Sequence, residues 1–264
     1  LRYLRNLEEK KEQVISSIRD QEKLTPELEE QIRAAATMVA VDDLYRPYRP
    51  KRRTRATIAK EKGLEPLAAL ITLQKIGESL ETAAKEYVSE EKGVATAEDA
   101  IAGAKDIIAE AISDNADYRS WIRRTTMKKG KVTSTAKEPE AESVYEMYYE
   151  FEEPAAKLAG HRILALNRGE KEKFLTVKVE APEDDILAYL ERKVIRSDNP
   201  YTTPVLKETV EDSYHRLIAP AIEREIRNEL TEKAEDGAIE VFGKNLHQLL
   251  MQPPITGRVV LGWD

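Results

Sequence analysis

The sequence predicts a mainly α, multihelical fold. Three observations carry this. Apolar residues recur at helical spacing through most of the 264 residues. Glycine and proline number only 11 and 12, too few for the turns of a β-sandwich or barrel. The runs rich in β-branched residues are short and few.

Residues 1–18 read as an amphipathic helix, with Leu4, Leu7, Val14, Ile15 and Ile18 on one stripe and Glu8, Lys10, Lys11 and Glu12 opposite. Thr25-Pro26-Glu27 is a helix start, a capping hydroxyl followed by proline and an acid. That helix is expected to reach about Met38. Pro47 and Pro50 then favour an extended segment over 42–50. Two short helices follow, about 54–62 and 65–74, with Gly63 between them. Thr96 caps a helix that buries Ile101, Ala104, Ile108, Ala111 and Ile112. Residues 115–127 form the next, anchored by Tyr118, Trp121 and Ile122. A short strand is expected at 131–135, a helix at 141–151 and a helical turn or two at 161–168. Phe174 to Val179 alternates and reads as a strand. Pro182 opens a helix over 183–195. Helix formers fill 204–236, with a kink or break at Pro220. Gly237 restarts the chain into a last helix ending near Pro253. Val259 to Trp263 reads as a final strand.

Composition excludes several classes. There is no cysteine, so disulfides, thiol nucleophiles and thiolate metal sites are ruled out, and a reducing cytoplasm fits. No apolar run is long enough to span a membrane. The opening Leu1-Arg2-Tyr3-Leu4 carries no initiator Met or signal peptide and is already in helical register, as in an excised piece of a longer protein.

The formal net charge is −7. Local clusters matter more than the sum, because charges are screened over about 8 Å at physiological salt. Arg46 to Lys62 holds eight basic residues and one acid, and Arg119 to Lys131 holds six basic residues and none. Glu138 to Glu153 holds seven Glu and no base, and reads as a solvated face.

Catalytic chemistry finds no support. His161, His215 and His247 lack a shared-metal spacing, and no glycine-rich phosphate loop is present. Asp212-Ser213-Tyr214-His215 has the letters of a triad, but sequence neighbours on a helix point to different faces. The expectation is a non-enzyme with no catalytic residue, metal or cofactor, and no small-molecule substrate.

The segment Tyr45-Arg46-Pro47-Tyr48-Arg49-Pro50-Lys51-Arg52-Arg53-Thr54-Arg55 is different. Proline stiffens it and splays the arginines. Guanidinium donors match phosphate oxygens, and tyrosine offers a face for base stacking. The competing reading is a connector whose cations are buried against helix acids. The candidate nucleic-acid contacts are Arg46, Arg49, Lys51, Arg52, Arg53 and Arg55, with Arg123, Arg124, Lys128 and Lys129 as a second surface. Ala59 and Gly63 have helix-turn-helix spacing over 54–74, in which the small alanine admits the second helix. A plain αα-hairpin explains the spacing equally well.

Asp43 to Ala59, with Gly63-Leu64-Glu65-Pro66-Leu67-Ala68, strongly resembles the N-terminal region of the Tex family of bacterial transcription accessory proteins. His161 to Glu170 and Ile255 to Asp264 are similar to that family too. The resemblance implies a cytoplasmic nucleic-acid-binding scaffold related to a eukaryotic elongation factor. It implies a multihelical region over 1–257 and, over 258–264, the first strand of an RNase H-like domain. Helix-hairpin-helix units and an S1-type RNA-binding barrel would follow. Only one of the several carboxylates a metal-dependent nuclease needs would be present, Asp264. The implied partner is nucleic acid, RNA or DNA. A second reading is a platform that docks RNA polymerase through the acidic stretch.

Overall fold

The computed structural model describes residues 2–50, 52–253, 257, 259 and 261. It is mainly helical, with one small antiparallel sheet among the described residues. Its contacts divide the chain into two compact units. One comprises 1–130 and 181–224, the other 131–180 and 225–264.

The first unit begins with α1 (Arg2–Asp20), α2 (Pro26–Ala34) and α3 (Met38–Tyr45). Leu7, Val14, Ile15, Ile18, Ile32 and Val41 form their common core, while Leu4 lies outside it and is exposed. Thr25 caps α2 as its sequence predicts, its hydroxyl accepting from the Leu28 N–H at 3.2 Å. The helix stops at Ala34, short of Met38, because Ala35 turns extended and Thr37 caps a new helix. α3 therefore occupies 38–45, half of it where an extended segment is expected. The prolines act just after it. The N–H groups of Tyr48 and Arg49 both donate to the Tyr45 carbonyl at 2.9 Å, closing a turn that proline's fixed φ suits as well as it suits a strand.

Next come α4 (Arg55–Glu61), α5 (Glu65–Thr72) and α6 (Leu80–Lys85), the last of these missed by the sequence reading. Gly63 sits at φ +80° between α4 and α5, where only glycine is unstrained. All three pack on α7 (Ala97–Asp114), which Thr96 starts through a reciprocal capping box with Asp99. A Cβ at Gly103 of α7 would meet Leu64 Cδ1 at 2.4 Å and Ala59 Cβ at 3.3 Å. The small residue at 59 thus admits α7. α8 (Ala116–Lys129) follows. After the second unit intervenes, the chain returns as α10 (Glu183–Val194) and α11 (Thr203–Asp212). A π turn over Ser213–Ile218 leads into α12 (Ala219–Leu250). The irregularity expected at Pro220 falls just before it: the Ala219 N–H reaches back to the Tyr214 carbonyl in the wider π turn, which accommodates a proline that has no N–H to donate in a helix that continues past it.

The second unit holds β1 (Lys131–Ala136), β2 (Glu150–Pro154), α9 (Gly160–Lys171) and β3 (Leu175–Glu180), with α12 from Glu225 on. β1 is central in the order β2-β1-β3, and both pairings are antiparallel. Val132, Ser134, Leu175, Val177 and Val179 are buried on it. The helix expected at 141–151 is absent. That segment makes turns, a 3-10 turn at Glu146–Tyr148 and then β2. Glu138, Glu142, Glu146 and Glu150 would stack like charges at every fourth position of a helix. α12 passes Gly237 without a break, the glycine costing only about 1 kcal/mol against alanine. Residues 235–250 are exposed throughout. The strand expected over 259–263 lies largely outside the described residues. Val259 and Leu261, which are described, have no regular structure.

Candidate nucleic-acid interface

The connector leaves α3 at Tyr45 and ends at Thr54, the cap of α4. Both ends are fixed. The Tyr45 hydroxyl and Ser17 Oγ share a hydrogen bond of 2.8 Å, and Gln21 Nε2 donates to the Tyr48 carbonyl at 3.0 Å. Both tyrosine rings pack against the α1–α3 core. That packing stiffens the connector. At the far end Thr54 and Thr57 cap one another, and Thr54 Oγ1 donates to Glu110 at 2.9 Å.

Its cations fall into two groups. Arg46 Nε pairs with Asp114 at 3.3 Å, and its side chain is only partly exposed. Arg49, Arg52 and Arg55 are exposed, and none makes an ion pair within the described residues. Arg53, 72% exposed, reaches Glu61 at 3.3 Å. A pair so solvated contributes little and opens readily to a stronger anion. Arg55 also helps Arg216 hold the Asp212 carboxyl below its ordinary range, the Arg216 hydrogen bond being the larger cause. Lys51 lies outside the described residues.

The second basic run divides in the same way. Arg119 is fully buried and donates from Nε to Asp43 Oδ1 at 2.8 Å, while Arg123 Nη2 meets Oδ2 of the same carboxylate at 2.9 Å. Arg123, a candidate contact by sequence, is thereby committed to an internal carboxylate. Arg124 and Lys128, one helical turn apart, are exposed, and Lys129 pairs with Asp185 at 2.6 Å. Asp43 thus joins α3 to α8.

By sequence Tyr118 and Trp121 are helix anchors, and Tyr189 is not singled out. In the structure Trp121 stacks on Tyr189 with ring centres 3.8 Å apart and planes 7° apart, and Tyr118 meets Tyr189 edge-on at 6.1 Å. The available signal was the basic trio Arg192, Lys193 and Arg196 at the end of α10. In the second unit Arg227 is spent internally. It holds Glu170 bidentately at 2.6 and 3.0 Å and bonds Asn167 at 3.1 Å. Among the described residues no three acids or histidines converge as metal ligands, and no helix is long and apolar enough to cross a membrane.

Residues 77–242 match the family described as Tex central region-like. The chain is 52% identical to the "Uncharacterized protein YdcI" of Bacillus subtilis, covering 99% of this chain and 37% of that protein. It is 34% identical to the "Transcriptional accessory protein Tex" of Neisseria gonorrhoeae, covering all of this chain and 35% of that protein. To the human "S1 RNA-binding domain-containing protein 1" it is 30% identical, over 28% of that protein. The chain therefore spans about a third of the length of the curated relatives it matches.

Proposed function

Because the chain belongs to the Tex family, we propose that it is a nucleic-acid-contacting helical scaffold of a transcription accessory protein. What supports this is the separation of the connector's cations. Arg46 is held by an acid, while Arg49, Arg52 and Arg55 face solvent with no acid paired to them among the described residues. Free guanidiniums on a segment fixed at both ends suit phosphate contact that is weak, tolerant of sequence and sensitive to salt. The names of two relatives, one a transcriptional accessory protein and one an S1 RNA-binding protein, agree with the role. A cytoplasmic setting goes with it.

The test is a titration of a fluorescent single strand and a duplex at two salt concentrations. The wild type should bind more tightly than a variant with Arg52, Arg53 and Arg55 changed to Glu. Equal binding removes this reading.

One observation favours a second reading, docking on a protein such as RNA polymerase. Val144 and Met147 are 85% and 73% exposed within the acidic segment, beside buried Tyr145 and Tyr148. Capture of purified polymerase that is lost on reversing Glu146, Glu150 and Glu152 would support it. No capture would end it. In neither reading is the chain an enzyme, and metal-dependent nuclease activity in a clean preparation would contradict both.

A further inference from the structure

A cluster of the first unit plays no part in the connector. Trp121 of α8 and Tyr189 of α10 lie flat against each other, with Tyr118 edge-on, and all three rings are only half-buried. Cations gather at these rings. Lys193 Nζ stands 5.8 Å from the centre of Tyr189. Burial raises the Tyr118 hydroxyl pKa, and the charge of Arg196 opposes that rise. Burial also raises the Tyr189 hydroxyl pKa, helped by Tyr118 and Asp117 and opposed by Arg124. Asp117 is the acid that faces the cluster. Arg124, Lys193 and Arg196 are exposed and make no ion pair within the described residues.

Stacked rings at a surface, rimmed by cations, match what an unpaired nucleotide offers. A base has a π-face to lay on a ring, and its phosphate seeks positive charge. In a duplex those faces are already stacked on neighbouring bases. We infer that the Trp121–Tyr189 stack, with Arg124, Lys193 and Arg196 around it, is a binding site for single-stranded nucleic acid. The inference rests on the nucleic-acid reading above and adds strand form to it: bases dock here, while the connector holds phosphates of either form.

The experiment uses the 264-residue chain, a labelled oligo-uridine 12-mer and a 12-base-pair duplex. Binding is followed by anisotropy and by tryptophan emission. Lys193→Glu with Arg196→Glu changes only exposed side chains, so it guards against a Trp121→Leu variant that fails to fold. Both variants should weaken single-strand binding by about tenfold and leave duplex binding nearly unchanged. Emission of the wild type should fall as the 12-mer saturates, and Trp121→Leu should lose that fall. Unchanged single-strand affinity in the double charge reversal, or no change in emission at saturation, overturns the inference. If the connector variant alone loses binding, the connector reading stands and this one falls. If only the ring-site variants lose binding, the reverse holds.

Discussion

At the scale of single residues, Asp43 takes two arginines of the second basic run out of the set of free cations. Its carboxylate is buried and receives both Arg119 and Arg123. A buried pair earns little net stability when intact, but removing one partner is costly because the other charge keeps its desolvation penalty. Asp43→Ala should therefore lower unfolding stability by about 3–5 kcal/mol in denaturant titrations. Asp42→Ala, one residue earlier and in a solvated pair with Lys10, should cost about 0–1 kcal/mol. This is also where the sequence is least legible. The cationic character of both runs is plain in the letters, but Asp43 and Arg119 are separated by 76 positions, so the sequence does not say which arginine is matched. Tyr45 and Tyr48 are likewise visible as aromatic partners of the run, while their packing against α1–α3 depends on tertiary contacts.

At the scale of elements, local chemistry made much of the fold readable. Thr25, Thr54 and Thr96 each begin a helix, and Gly63 ends α4. β1 and β3 lie where β-branched runs place them. Competition between local signals hid the rest. Thr37 outcompeted the continuation of α2, and like charges at every fourth position kept 141–151 from forming a helix. The approach of α7 to the α4–α5 pair depends on Gly103, so Gly103→Leu should destabilise the protein by about 1–3 kcal/mol through overpacking, measured by thermal or denaturant unfolding. In the second unit the hydrogen bond from Arg227 lowers the pKa of Glu170 despite partial burial. A carboxyl lowered on folding adds stability above its unfolded value of about 4.3 and loses it as pH falls through the lower folded value. Glu170→Gln should thus cost about 1 kcal/mol at pH 7, solvent screening keeping it modest. The gap from wild type should close below about pH 4.

At the scale of the molecule, net charge misleads. The sum is −7, yet among the described residues Arg49, Arg52 and Arg55 of the connector have no ion pair, and Arg53 is in a solvated one. Four such cations releasing counterions from a single strand give a slope of about −3 for log affinity against log salt. On the proposed reading the bulk acidity would keep that affinity low and high salt would abolish it. The most direct check is therefore a salt titration of oligo-uridine binding by the 264-residue chain and by the Arg52, Arg53, Arg55→Glu variant. The account predicts a slope of about −3 or steeper in the wild type and a flatter, weaker response in the variant, which lacks most of the connector's share. Identical slopes and affinities in the two proteins would contradict it.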